Sequence, residues 1–591
     1  MAKHDGSPPP LKKLKTASNA YQSNRSGTGP QGHGGIRSLN RSITPPLSRI
    51  KQSRRPGSPL EPGLPSEQKI IPSPIQLTHI RDINDSTGYN KDCIKLRDIL
   101  GDPMIKECWQ FNYLFDVDYI MSQFDRDVKD LIQLKIIHGS WKREAPNRIA
   151  IDDACKRYPN AEAVVAYMPE PFGTHHSKMM ILIRHDNLAQ IIIHTANMIP
   201  RDWGNMTQAV WRSPLLPFSQ PHVGDTHGEF GSGARFKRDL LAYLDAYNNK
   251  TIGLLIHQLQ RYDFGAVKAV LIASVPSRLP VKAFDSNRKT LWGWPALRDA
   301  IRSIPIDHSS SQTLKPHIIV QVSSIATLGQ TDKWLKETFF GSLCPQSRFN
   351  QTISACHANF SIIFPTPDEI RRSLDGYGSG GSIHMKIQSA SQQKQLAYLR
   401  HYLCHWAGDA EGQRDPGPAT ESVKGLAYVR EAGRSRAAPH IKTYIRFSDS
   451  GMSSIDWAMV TSANLSTQAW GAGANAQGEV RICSWEIGVL IWPELFRENN
   501  IEKCNDSSPI NHVKMIPCFK RNTPSKEPLQ PPESDSTKLT SHPDATNMIR
   551  VGFRMPYNLP LVPYTPRDVP WCATAAHREP DWMGQTWEEN D

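Results

Sequence analysis

Two tripeptides in this 591-residue chain place histidine and lysine two positions apart, each just ahead of an apolar run. His176-Ser177-Lys178 opens Met179-Met180-Ile181-Leu182-Ile183 and leads on to Thr195-Ala196-Asn197. His440-Ile441-Lys442 opens Thr443-Tyr444-Ile445 and leads on to Ser462-Ala463-Asn464. The lysine-to-asparagine separations are 19 and 22 residues, and the two units lie 264 residues apart. Each unit then enters a third apolar stretch headed by a polar residue, Gln208 in one and Glu486 in the other. Two further His-x-Lys triplets, at His384 and His512, lack the rest of the unit and read as ordinary surface or core histidines.

Residues i and i+2 of a strand point to one side, so each His–Lys pair projects together into a cleft. An asparagine at the end of the neighbouring strand adds an amide to the same point. Doubling the unit gathers two imidazoles, two ammonium groups and two amides around one centre. A phosphodiester suits such a centre, its non-bridging oxygens meeting the lysines and amides. Imidazole titrates near pH 6.5, so one histidine can attack phosphorus while the other carries the proton for the leaving oxygen. Lysine and asparagine supply the charge stabilisation, and no carboxylate cluster suited to Mg²⁺ or Zn²⁺ stands out. The ten cysteines contain no CxxC pair and read as free thiols.

Positioning such a site requires strands buried on both faces. Short apolar runs at 163–167, 179–183 and 191–193 meet that need, and the stretches 238–259 and 392–406 read as helices. Strands alternating with helices imply a layered α/β arrangement. Residues 1–77 hold 12 Lys/Arg against 3 Asp/Glu, whereas the other 514 residues are nearly balanced at 57 against 54. The high pI is therefore a property of a Pro-, Ser- and Gly-rich tail that cannot bury a core. We expect disorder over 1–84, with a nuclear localisation signal in the basic clusters at 8–15 and 51–55. The body divides by this reading into halves at 85–300 and 301–591, with mobile loops near 408–439 and 505–547. No apolar run is long enough to span a membrane, and without an apolar stretch after Met1 we expect no secretory signal.

The doubled unit resembles the phospholipase D superfamily, whose members pair two His–Lys motifs about a pseudo-twofold axis. That superfamily's usual motif carries Asp five residues after the lysine, where this chain has Ile183 and Phe447. A downstream asparagine, with Gln208 and Glu486 in place of the Asp, is similar to its tyrosyl-DNA phosphodiesterase branch. Gln110-Phe111-Asn112-Tyr113, Pro171-Phe172-Gly173-Thr174-His175-His176, Gly380-Gly381-Ser382 and Thr461-Ser462-Ala463-Asn464-Leu465-Ser466 agree with it. The likeness runs from about residue 90 to about 571.

The resemblance implies two α/β halves, each a mixed sheet flanked by helices, with the active site at the seam. It implies a metal- and cofactor-free repair enzyme that removes a topoisomerase I tyrosyl peptide from a DNA 3′-phosphate. His176 would be the nucleophile and His440 the acid and later the base. Lys178, Lys442, Asn197 and Asn464 would hold the phosphate, and Gln208 and Glu486 would orient the histidines across the axis. The alternative for Glu486 is a structural strand-end carboxylate. Tyr113 and Phe172 match positions lining a single-stranded DNA groove, and either could instead be plain core. Ser324, Thr327, Gly381, Ser382 and Ser466 match positions along the DNA backbone. His175, on the opposite strand face from Lys178, and His194 read as structural. A nuclear monomer acting on single strands and 3′ ends, including double-strand breaks, follows from the same resemblance. The competing readings are another phosphodiesterase or nuclease on this fold, and a DNA-binding scaffold without catalysis.

Overall fold

Seven strands make up the working part of a first sheet: β1 (Ile75–Leu77), β2 (Ile105–Phe111), β3 (Gln133–His138), β4 (Ala161–Val165), β5 (Met179–Arg184), β6 (Leu188–His194) and β7 (Ala209–Arg212). Seven more make the matching part of a second: β8 (Val270–Ser274), β9 (His317–Gln321), β10 (Asn359–Ile363), β11 (Leu403–Cys404), β12 (Thr443–Phe447), β13 (Ile455–Thr461) and β14 (Glu486–Ile491). The first sheet runs β1-β7-β6-β5-β2-β3-β4, and the second runs β8-β14-β13-β12-β9-β10-β11. The order is the same with every label advanced by seven. In both sheets the last three strands are parallel, and the others meet their neighbours antiparallel.

This computed structural model describes residues 69–219, 228–280, 289–306, 315–345, 358–408, 429–497, 512–525 and 548–588. Most of the expected basic tail therefore lies outside the described residues, as do the centres of both expected loops.

The continuous apolar run of β5 follows from burial on both faces. Met179, Ile181 and Ile183 pack in a cluster with Phe236, Leu240 and Tyr243 of the helix Gly233–Asp245. Met180 and Leu182 face the other way, onto Ile120, Met121 and Ile151 of the outer helices Val117–Gln123 and Pro146–Arg157. The first of these clusters continues through the helix Lys250–Leu259 into the second sheet, so the two sheets share one core.

Strand direction places the chemistry on one edge of each sheet. Asn112 and Tyr113 follow the end of β2, His176 and Lys178 precede β5, Asn197 follows β6 and Gln208 precedes β7. The second sheet repeats this with Ser324 after β9, Lys442 before β12, Asn464 after β13 and Glu486 opening β14. Backbone bonds knit the two edges together in a twofold pattern. The His176 N–H donates to the Trp485 carbonyl (3.0 Å), as the His440 N–H does to Thr207 (3.2 Å). The Trp485 and Thr207 N–H groups return bonds to Thr174 and Ala438 (both 2.9 Å).

Four expectations need correction. Regular structure starts at Ile70–Ile71 and β1 rather than near 85, because Ile75, Leu77 and Ile80 are buried despite the prolines before them. The boundary near 300 falls too late, since β8 pairs with β14 and belongs to the second sheet. Within the expected loops, Val513–Cys518 is a strand paired with Ile549–Arg554, and Arg434, Ala437 and Ala438 are buried against the seam. Cys344 is disulfide-bonded, whereas the other described cysteines are free. A disulfide needs only Cα atoms about 5.5 Å apart and no CxxC spacing.

Gly173 marks how closely the two halves meet. A Cβ there would sit 1.9 Å from the Cys483 carbonyl oxygen, an approach no side chain permits. Gly173→Ala must push the 170–176 segment off the second half. The expected cost is about 1–3 kcal/mol, read as a lowered urea midpoint with an unchanged slope.

Candidate active site

The two histidines meet side chains from the opposite half. His176 Nδ1 lies 3.0 Å from Glu486 Oε2, and His440 Nδ1 lies 2.9 Å from Gln208 Nε2. A hydroxyl holds each partner in turn. Thr195 Oγ1 accepts the Ala209 N–H (3.0 Å) and donates to Gln208 Oε1 (2.7 Å). Ser462 Oγ accepts the Ile487 N–H (2.9 Å) and donates to Glu486 Oε2. Because Thr195 fixes the amide oxygen, the amide nitrogen of Gln208 must face His440.

Glutamate and glutamine then set different tautomers. A carboxylate only accepts, so His176 carries its proton on Nδ1 and leaves Nε2 bare. An amide N–H only donates, so when Gln208 is its partner His440 accepts at Nδ1 and keeps its proton on Nε2. Exposure separates the two rings as well. The His176 side chain retains 15% of its surface and that of His440 only 4%. The bare nitrogen thus belongs to the more accessible ring.

Asp202 escaped the sequence reading. It sits five residues after Asn197 in the short helix Pro200–Gly204 and is fully buried. Its Oδ2 lies 3.1 Å from His440 Nδ1, accepts the Asn197 N–H (2.7 Å) and faces Gln208 Nε2 at 3.4 Å. Gln208 serves His440 when Nδ1 is bare, and Asp202 serves it when Nδ1 is protonated. The second unit has Ala469 at the corresponding place, so a search for repeated residues could not find Asp202. The clue available was a carboxylate shortly after the asparagine.

Burial governs the protonation of the whole centre. It pushes His440 down to about 3, with Lys442 adding to the effect and Asp202 opposing it. His176 is also lowered by burial, against the pull of Glu486. Lys178 falls to about 8, and Lys442, buried beside Lys178, falls well below its usual range. Each lysine donates to the carbonyl of its own histidine two residues back, Lys178 at 3.2 Å and Lys442 at 2.5 Å. Burial works to raise Glu486 and Asp202, but the histidines beside them hold both below the usual carboxylate range. Asn464 Oδ1 accepts the backbone N–H groups of Ser323 (3.1 Å) and Ser324 (2.9 Å), which turns its amide nitrogen away from that loop. Asn197 Oδ1 is buried with no partner. Among the described residues no group of three or more His, Cys, Asp or Glu is placed to hold a metal ion.

With this geometry in place, comparison with known proteins decides the family. The family model described as tyrosyl-DNA phosphodiesterase matches residues 74–565. The chain belongs to the tyrosyl-DNA phosphodiesterase family, a family of phosphodiesterases. A probable tyrosyl-DNA phosphodiesterase of Schizosaccharomyces pombe is 28% identical, over 88% of this chain and 97% of the relative. Tyrosyl-DNA phosphodiesterase 1 of Arabidopsis thaliana is 26% identical, over 88% and 78%. The crystal structure of the yeast tyrosyl-DNA phosphodiesterase shares the fold at a TM-score of 0.54 and 20% identity, covering 84% of this chain and 98% of that one.

The remaining site residues lie where this family fold brings the two edges together, but not all are free to bind. The Tyr113 ring lies 5.7 Å from that of His176 and is part-exposed, so it is not core. Phe172 is 67% exposed. Thr327 and Gly381 are exposed, and Ser324 and Ser382 are part-buried. Ser466 is buried, and its hydroxyl caps the helix Thr467–Trp470 by accepting the Ala469 N–H. That hydroxyl is already engaged in structure. His175 is buried on the far side of the strand, bonded to the Asn112 carbonyl (3.0 Å) and the Tyr247 hydroxyl (2.9 Å). His194 is buried against Trp203.

His175, His194 and His440 all sit near 3, mainly through burial. The folded chain refuses protons that the unfolded chain takes up below about pH 6.5. Their stabilising contribution is complete above that pH and is lost as the pH falls toward 3. Thermal midpoints should therefore decline steadily between pH 6.5 and pH 4, and His194→Gln should flatten that slope.

Proposed function

We propose that this chain hydrolyses the bond between a DNA 3′-phosphate and a tyrosyl peptide of topoisomerase I. The observation that carries the reading is the asymmetry of the partners: Glu486 leaves a bare Nε2 on His176, whereas His440 has both an amide, Gln208, and a carboxylate, Asp202, at Nδ1 and so can hold or release a proton on Nε2.

His176 Nε2 attacks phosphorus in line with the tyrosyl oxygen. A P–N bond forms, the P–O bond to tyrosine breaks, and His440 donates its Nε2 proton to the departing oxygen. For that step His440 must be an imidazolium, whose Nδ1–H Asp202 accepts. In the second half-reaction His440 takes a proton from water, whose oxygen displaces His176 and leaves a 3′-phosphate. Lys178, Lys442 and the amides of Asn197 and Asn464 meet the non-bridging oxygens, so the charge development is answered without a metal ion. Phe172 and Tyr113 offer faces for unpaired bases. Ser324, Thr327, Gly381 and Ser382 offer backbone and hydroxyl donors that do not read sequence. We further propose a monomer that works in the nucleus, a location supported by the basic clusters of the tail. The names of the relatives support the substrate, and DNA 3′ ends at single- or double-strand breaks are the structures that would present it.

The test is a single-stranded oligonucleotide bearing a 3′-phosphotyrosine, incubated with the purified chain in excess EDTA. Conversion to a 3′-phosphate supports both substrate and metal independence. Activity only after Mg²⁺ is added overturns the two-histidine mechanism. The tyrosyl group is a good leaving group, with a pKa near 10. In His440→Ala, His176 should therefore still attack phosphorus while hydrolysis of the P–N bond fails, so a covalent DNA adduct accumulates on denaturing gels. His176→Ala should form none, and the opposite pattern reverses the assignment.

A pH profile tests the lysines. The protonated form of Lys178 attracts phosphate and is lost above its value of about 8 in the free protein. The ratio kcat/KM reports the free enzyme and should fall above about pH 8. The bound phosphate raises the lysine, so kcat should hold to higher pH.

A further inference from the structure

Cys93 lies where three segments of the chain meet, and two of them bring an arginine to it. Arg434 Nη2 donates to its Sγ at 2.8 Å, and Arg554 Nη2 lies 4.0 Å from the same sulfur. Both arginines are only 1% exposed. Their other partners are neutral. Arg434 Nη1 donates to Asn90 Oδ1 (3.3 Å) and Arg554 Nη1 to the Lys91 carbonyl (3.1 Å). The two Nη2 atoms share the Tyr89 carbonyl, at 3.2 Å and 3.1 Å. The Nε atoms of both arginines are buried with no partner. Two like charges thus meet at one carbonyl, with no carboxylate in contact among the described residues. Asp92, next in the chain, is exposed, and its carboxylate accepts the Asn522 N–H instead (2.9 Å).

A buried charge without a counter-charge is unfavourable. Burial lowers both guanidinium groups, Arg554 to about 10, and in each the strongest influence opposing burial is Cys93. A dissolved anion cannot fill the gap, because neither guanidinium is open to solvent. The sulfur is: Cys93 is a free, half-buried thiol. Among the groups touching both arginines it alone can be reached from solvent and given a charge by chemistry. Cys155 provides the contrast. It is also free and half-buried, but burial and the nearby carboxylates Asp152 and Glu162 push its thiol up, against Arg148.

Neighbouring arginines and partial exposure are the surroundings of reactive thiols. We propose that Cys93 is a site of oxidation by hydrogen peroxide, and that Arg434 and Arg554 hold the anionic product. The sulfur attacks one peroxide oxygen, so an S–O bond forms and the O–O bond breaks. The departing oxygen leaves as water with the thiol proton, and the sulfur has lost two electrons. A second peroxide adds a second oxygen in the same way, and the sulfinic acid gives its proton to solvent. The sulfinate oxygens supply the anion that the two guanidinium groups lack. The site lies at the root of the segment that carries His440. The Ala437 N–H donates to the Arg434 carbonyl, and the Thr207 hydroxyl and N–H hold the carbonyls of Ala437 and Ala438 (all 2.9 Å). The Thr207 carbonyl then accepts the His440 N–H (3.2 Å). A firmer hold on Arg434 therefore steadies the approach to His440. The inference is independent of the substrate.

The experiment treats the full chain with hydrogen peroxide and locates the added oxygen by peptide mass spectrometry. Cys93 should gain one and then two oxygen atoms, about tenfold faster than Cys155. Arg554→Met removes one guanidinium, leaves an apolar side chain in a buried place, and should lower that ratio. Equal rates at the two cysteines, a ratio unchanged by Arg554→Met, or conversion of Cys93 to a disulfide overturns the proposal. A second measurement needs no oxidant. Cys93→Asp sets a carboxylate where the sulfinate would stand, and Cys93→Asn is its neutral counterpart. The Asp variant should melt about 2 °C above the Asn variant, and its amides over residues 434–440 should exchange hydrogen more slowly. An Asp variant no more stable than the Asn variant overturns the hold by the two arginines. Should a variant fail to fold, the rates at Cys93 and Cys155 in the wild type decide.

Discussion

Two lysines and two imidazoles buried at one seam repel each other, and much of the arrangement answers that repulsion. Glu486 and Asp202 are the counter-charges, buried at 4% and 0% exposure, and each lies against one histidine. Neither can be moved without stranding a buried charge, which costs about 3–5 kcal/mol when a partner is removed. The seam therefore requires the two halves to meet in one register. The paired backbone bonds from His176 to Trp485 and from His440 to Thr207 hold that register. Gly173 is needed because the halves must approach closely enough for side chains of one to reach the histidines of the other.

The pseudo-symmetry holds in the strand order and is broken in the side chains, and the breaks support the proposed division of labour. Two equivalent histidines would compete for one role. Glutamate on one and glutamine on the other put the proton on different ring nitrogens. The exchange of Glu for Gln would leave the His440 side without an anion. Asp202 restores it from a helix that has no acidic counterpart in the second half. Each histidine thus keeps one carboxylate, while only His440 has a neutral donor as well.

The repeat makes the centre legible in the sequence. A strand carrying His and Lys at i and i+2, followed by Asn, recurred with its surroundings, and the structure brings His176, Lys178, Asn197, Gln208, His440, Lys442, Asn464 and Glu486 to facing edges. What stayed hidden lacked a repeat or a local signature. Asp202 acts through a long-range contact with His440, and nothing in its neighbours announces that. The strand β8 reads as part of the first half because it precedes the second unit in the chain, yet it pairs with β14. Val513–Cys518 lies within a polar, proline-rich stretch, and its strand form comes from pairing with Ile549–Arg554. Ser466 looks like a ligand by position, but the helix it caps claims its hydroxyl first.

Burial in the absence of DNA sets the centre in a resting condition. His440 near 3 is neutral at physiological pH, and Lys442 is pushed well below its usual range. Under the proposed mechanism His440 must still gain a proton before it can serve as the acid. An entering phosphodiester brings a negative charge into the same low-dielectric space, which favours the protonated form of every base around it. It strengthens the hold of Lys442 on its proton and, under the proposed mechanism, favours one on His440, whose Nδ1 then stops accepting from Gln208 and donates to Asp202. Under the proposed mechanism the acid is thus formed by the substrate it serves. A site kept fully charged beforehand would bear the repulsion of two ammonium groups and an imidazolium with no anion between them. The depressed values are in this sense the condition for specificity: the charges that hold and cleave a phosphate are completed only when a phosphate is there.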